Sequence, residues 1–159
     1  MWDICIAAVF ASWKMCRVCD IMMLTKSVFA EDKVMTRNEL EAFILEAYNA
    51  AADYPWLKYP NYEVFRHSNN RKWFAIIMDI PKNKLGLQGE ELLEVVNFKS
   101  DPILIGALRE EPGFFPAYHM SKESWITVAL DGSVSDDKIK MLLDMSYQAT
   151  APKARKKKC

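Results

Sequence analysis

The chain has 159 residues, 51% of them apolar, with 21 Lys and Arg balanced by 21 Asp and Glu, which is enough to bury one core and argues against two globular domains. No uninterrupted apolar run approaches the roughly 18 residues of a membrane-spanning helix. The zero net charge conceals an asymmetry: residues 35–150 hold 12 cations against 17 anions, a net of −5, while the last few residues add five cations and no anion.

Residues 1–34 are rich in Met, Cys and Trp and read as an N-terminal extension, helical or belonging to an over-long start. Asp3 stands where a secretory signal needs cations, so a cytoplasmic protein is expected. Cys5, Cys16, Cys19 and Cys159 all lie outside the region that reads as folded, which excludes a disulfide framework. The Cys16 to Cys19 spacing is half a zinc site, and no second pair or nearby His completes it.

At Met35 the character changes. Thr36 and Glu39 form a capping box, flanked by Met35 and Leu40 as a hydrophobic staple, and Leu40, Phe43, Ile44, Ala47 and Tyr48 make one buried helical stripe. This helix is expected to end near Asp53. The 54–60 connection, stiffened by Pro55 and Pro60, carries Tyr54, Trp56 and Tyr59 as caps on a core. Tyr62 to His67 reads as a strand, Ser68-Asn69-Asn70 as a turn and Lys72 to Ile80 as a central strand. Four cationic or titratable side chains, Arg66, His67, Arg71 and Lys72, therefore crowd one turn.

Pro81 to Gly89 reads as a loop and Leu92 to Lys99 as a third strand. Asp101 and Pro102 supply the N-cap and first residue of a short helix ending before Pro112. Phe114 to Val128 has the pattern of a second hairpin, with Ser121 to Ser124 as its turn and β-branched Ile126, Thr127 and Val128 in its second strand. Ser135, Asp136 and Asp137 then start a final helix with the stripe Ile139, Leu142, Leu143, Ser146 and Tyr147. Residues 152–159 are too poor in apolar side chains to fold. The order α-β-β-β-α-β-β-α predicts an α+β domain over 35–151, with helices laid on a mainly antiparallel five-stranded sheet.

The string from Pro116 through Tyr118, His119, Lys122, Trp125 and Thr127 to Val128, with Leu130-Asp131-Gly132 and Ser146-Tyr147, resembles the MmcQ/YjbR family of small bacterial proteins. Lys72-Trp73-Phe74-Ala75 and Asn97-Phe98-Lys99-Ser100-Asp101-Pro102 carry the same resemblance. It implies an α+β fold similar to secretion chaperones and loosely to the frataxin-like (CyaY-like) shape, and DNA binding through two hairpin wings. Carried onto this chain, the phosphate-contacting candidates are Arg66, His67, Arg71, Lys72, Lys99, His119 and Lys122. The tail cations Lys153, Arg155, Lys156, Lys157 and Lys158 would add generic affinity.

Catalysis is not expected. The sequence has no glycine-rich phosphate loop, no nucleophile elbow and no zinc-protease motif, and His119 with Lys122 lacks an orienting third group. No metal or other cofactor is expected, since Glu90-Glu91 and Asp136-Asp137 read as solvated faces and helix-start charges. The alternative to DNA binding is a protein-, peptide- or small-ligand-binding module, with Trp73, Tyr118, His119 and Trp125 lining a concavity. A monomer is expected in either case.

Overall fold

A computed structural model describes residues 34–152. The N-terminal extension with Cys16 and Cys19, and the tail cations Lys153, Arg155, Lys156, Lys157 and Lys158, lie outside the described residues.

Helix α1, Arg37–Tyr48, starts as its capping box dictates: Thr36 accepts from the Glu39 amide while the Glu39 carboxylate accepts from the Thr36 amide at 3.1 Å. Asn49 ends it in the left-handed conformation, φ 46°, which Asn adopts at lower cost than most residues. The helix therefore stops well before the expected Asp53, and Ala51–Asp53 form a short edge strand, β1, paired with β2. This extra strand makes the sheet six-stranded rather than five-stranded. Two alanines carry no strand preference; pairing with β2 and an ion pair from Asp53 to Arg66 at 2.8 Å hold them there.

Strands β2 (Glu63–Arg66), β3 (Trp73–Pro81) and β4 (Leu92–Lys99) follow, with a 3₁₀ turn at Lys82–Leu85 between the last two. Helix α2, Pro102–Leu108, is capped by Asp101, whose carboxylate accepts from the Ile103 amide at 2.9 Å. Strands β5 (Phe114–Pro116) and β6 (Trp125–Ala129) and helix α3 (Asp136–Thr150) complete the domain. All pairings are antiparallel, in the order β1-β2-β3-β4-β6-β5.

The expected turn at Ser121 to Ser124 is present, closed by bonds from the Ser124 and Trp125 amides to the Ser121 carbonyl, but the first strand of this hairpin is much shorter than expected. Pro116, with no N–H to continue the ladder, ends β5, and residues 117–124 form a long loop. Buried side chains pin it instead: the Asn97 amide donates to the Tyr118 carbonyl at 2.9 Å, and Thr127 bonds both Asn97 and the Tyr118 amide.

Side chains alternate across the strands, so the sheet has two cores. On one face Phe65, Ile77, Val96, Phe98, Ile126 and Val128 pack with Leu40 and Ile44 of α1 and with Ile139, Leu142 and Leu143 of α3. The other face, Val64, Ile76, Met78 and Val95, is covered by aromatic loop side chains including Trp56, Tyr62 and Tyr118. Two long-range bonds fix the helix starts. Arg37 pairs with Asp79 at 2.8 Å, and the Met35 amide donates to Asp136 at 2.8 Å. No described helix is long and apolar enough to cross a membrane.

Candidate nucleic-acid interface

Strand register gathers the separated cations. Arg66 pairs with Trp73 and Lys99 with Trp125, and the Ser100 amide donates to the Ser124 carbonyl at 3.0 Å. The 67–72 turn, the end of β4 and the 117–124 loop thus share one end of the sheet. The end of α3 joins them: Asn70 donates to the Thr150 carbonyl at 3.0 Å, and His67 Nε2 meets the Thr150 hydroxyl at 2.8 Å. The last turn of α3 therefore lies beside the 67–72 turn.

Arg71 and Lys72 are exposed. The turn carrying them is closed by bonds from the His67 amide to Lys72 and from the Arg71 amide to His67, with Asn70 accepting from the Lys72 amide. Arg71 takes φ 59° to close it, a left-handed conformation that costs an ordinary residue roughly 1–2 kcal/mol. Lys122 and His119 are exposed on the second loop, His119 also at positive φ, 56°. Lys99 is half-buried with its ammonium 5.7 Å from the centre of the Trp125 ring.

Two predicted contacts are removed from the surface. His67 is 1% exposed, packed against Tyr147 and Phe74 with ring centres 4.1 and 5.1 Å away, and burial lowers its pKa below the usual histidine value; it is a core residue. Arg66 is neutralised by Asp53 and laid over Trp73, 4.9 Å from the ring centre. In their place stands Arg109, which sequence reasoning missed; it is exposed and donates to the Lys122 carbonyl at 2.5 Å. Its position at the end of a seven-residue helix gave no sign that it returns to this loop. The aromatic concavity also closes up. Trp125 is buried, and Trp73 packs edge-on against Trp56 at 5.7 Å.

The opposite end of the sheet is acidic. Asp79 and Glu94 face each other across β3 and β4, Glu63 lies on β2 and Glu41 on α1, and together with Arg37 and Tyr54 they line a cleft of about 420 Å³. Like charges opposite one another on adjacent strands repel; Arg37 and the Asn61 amide, each 2.8 Å from Asp79, offset that repulsion.

A family model described as YjbR matches residues 45–149, from the middle of α1 to the end of α3. The chain belongs to the YjbR family. YyaQ of Bacillus subtilis is 37% identical over 117 residues, covering 74% of this chain and 99% of that protein. YjbR of Escherichia coli K12 is 43% identical over 54 residues, 33% of this chain and 46% of that one. Among solved structures, a Pseudomonas syringae protein seen by crystallography is 44% identical with a TM-score of 0.72, covering 74% of this chain and all of that one. A Deinococcus radiodurans protein, 24% identical with a TM-score of 0.59 over 78% of this chain and 84% of its own, shares the fold. The stretch matched to the YjbR family includes Arg71, Lys72, Lys99 and Lys122.

Proposed function

We propose that this YjbR-family protein binds DNA without catalysis, holding the phosphate backbone at the sheet end that carries Arg71, Lys72, Lys99, Arg109 and Lys122, with the cations of residues 153–158 adding contacts. One observation carries the reading: a domain whose overall charge is negative places these five cations at one end of the sheet, with Glu123 beside them, while Asp79 and Glu94 face each other toward the other end, where Lys82 and Lys84 also lie. Such segregation gives a polyanion an attractive face despite the unfavourable total. Five cations on two loops, a strand end and a helix end make sequence-independent phosphate contacts, and the affinity expected is that of non-specific binding, on the order of 10⁻⁴–10⁻⁶ M.

Duplex binding followed by fluorescence anisotropy across a salt series tests this on three proteins: the full chain, the chain ending at Ala151, and a variant with Arg71, Lys72 and Lys122 each changed to Ala. Each lost phosphate contact is expected to reduce the slope of log K against log salt by about 0.9, so the triple variant should lose roughly 3. Arg66→Ala is left out because Arg66 is paired with Asp53. No binding by the full chain at low salt overturns the reading. A triple variant identical to the parent, with binding lost only on tail removal, overturns the role of the loops.

A further inference from the structure

The five cations assigned to phosphates leave out His119, although it is exposed and stands on the same loop as Lys122. Its backbone is left-handed, φ 56°, a conformation that glycine adopts freely and other residues only at a cost. Such strain persists where the surroundings over-determine it, and it clusters at ligand sites. The surroundings here are a closed ring of hydrogen bonds. The Tyr118 amide donates to the Thr127 hydroxyl at 3.1 Å, that hydroxyl donates to the Asn97 side-chain carbonyl at 2.5 Å, and the Asn97 amide donates to the Tyr118 carbonyl at 2.9 Å. Asn97 and Thr127 are both 0% exposed. Two buried polar side chains thus hold both backbone groups of the residue just before His119, and the His119 ring lies against the Tyr118 ring with centres 4.1 Å apart.

We propose that His119, supported by Tyr118, is a stacking platform for an unpaired nucleobase, so that the cationic end of the sheet takes single-stranded DNA with one base laid on the imidazole. This rests on the reading of that end as a DNA site and names the form of DNA it takes.

Positive charge stands beside the platform. Lys99 lies two residues from Asn97 on β4, hence on the same face of the sheet and about 7 Å further along the strand. Lys122 is three residues from His119, at most about 11 Å along the chain, and its carbonyl accepts from Arg109. The face is covered by loop side chains rather than by an α-helix. A duplex keeps its bases stacked on one another and shows a protein only their edges. Unpaired bases instead offer flat faces that stack on aromatic and imidazole rings while cations follow the backbone. An exposed ring held rigidly among cations therefore suits a single strand.

The test is fluorescence anisotropy of the full chain with three labelled DNA probes of equal length: a mixed-sequence single strand, its duplex, and a strand of abasic sites that keeps the phosphates without the bases. The parent is expected to hold the base-bearing strand about fivefold or more tighter than the abasic strand, the low end of what one stacked base contributes. His119→Ala should remove most of that preference and lose at least fivefold in single-strand affinity relative to the duplex, while His119→Tyr should retain both. The salt slope on the single strand should be the same for all three proteins. A slope reduced by about 0.7 in His119→Ala would make the residue a phosphate contact and overturn the proposal. So would a parent that binds the base-bearing and abasic strands alike, or a His119→Ala loss that is equal for single strand and duplex. His119→Gly separates binding from folding: freed of the left-handed strain, it should unfold at or above the parent's urea midpoint. A lower midpoint would mean that the imidazole serves the fold, which also overturns the platform. The DNA reading survives such a failure wherever the duplex and abasic strand still bind, whereas a full chain that binds none of the three probes removes both.

Discussion

Glu63, the first residue of β2, and His67, just past its end, tilt stability in opposite directions. Burial raises the Glu63 carboxyl above its ordinary 4.5, so the folded state holds its proton more tightly than the unfolded chain. The stability this contributes is full below 4.5 and is lost as pH rises through the folded-state value. Burial lowers His67 below 6.5, so its contribution is present above 6.5 and is lost as pH falls below it. Glu63→Gln is therefore expected to stabilise the domain by about 1–3 kcal/mol near neutral pH, the cost of burying a carboxyl that ionises there beside Glu41, and to gain little below 4.5, where both forms are neutral. Urea unfolding at the two pH values checks this; an equal gain at both removes the ionisation argument. Sequence alone placed His67 among the surface cations because it neighbours Arg66 at a turn. The partner that claims it, Thr150, is 83 positions away, and no local pattern announces such a contact. Arg71 was legible as a cation, but not as one held at a left-handed backbone position.

The three helix starts were readable because their signals are local. Thr36 with Glu39, Asp101 with Pro102, and Ser135 with its two aspartates each lie within four residues of chain. Even here one detail was tertiary: Ser135 makes no side-chain cap, and Asp136 instead receives the Met35 amide. What escaped reading was set by distant partners, β1 by Arg66 and the 117–124 loop by Asn97 and Thr127. Ser146 illustrates the strength of such bonds between elements. Its hydroxyl donates to the Phe74 carbonyl on β3 and accepts from the Lys99 amide on β4 at 2.8 Å, fully buried. Ser146→Ala leaves both backbone groups unmatched and is expected to cost about 2–3 kcal/mol. Thr36→Ala, at an exposed cap, is expected to cost about 1 kcal/mol. Urea midpoints compare them with the slope unchanged, and a Ser146→Ala cost no larger than that of Thr36→Ala would show that water replaces the buried bonds.

For the molecule as a whole, placement of charge matters more than its sum. β3 has nine residues, so the turn before it and the loop after it, which leads to Glu90, are separated by roughly 25–30 Å, several times the Debye length of about 8 Å at physiological salt. A charge removed from the acidic end should be nearly invisible to a phosphate backbone at the other. Glu90, exposed before β4, and Glu123, exposed beside Lys122, make a matched pair for this purpose, since changing either to Gln alters net charge by one. Glu123→Gln is expected to tighten duplex binding about two- to fivefold at physiological salt, the effect of removing one exposed like-signed neighbour of the phosphates. Glu90→Gln should leave it within experimental error. At about 0.01 M salt the screening length grows to about 30 Å, and the two variants should converge because Glu90 is then felt across the sheet. Equal tightening by both variants at physiological salt would mean that total charge rather than its location governs binding, and the assignment of DNA to the end carrying Arg71 and Lys72 would fall with it.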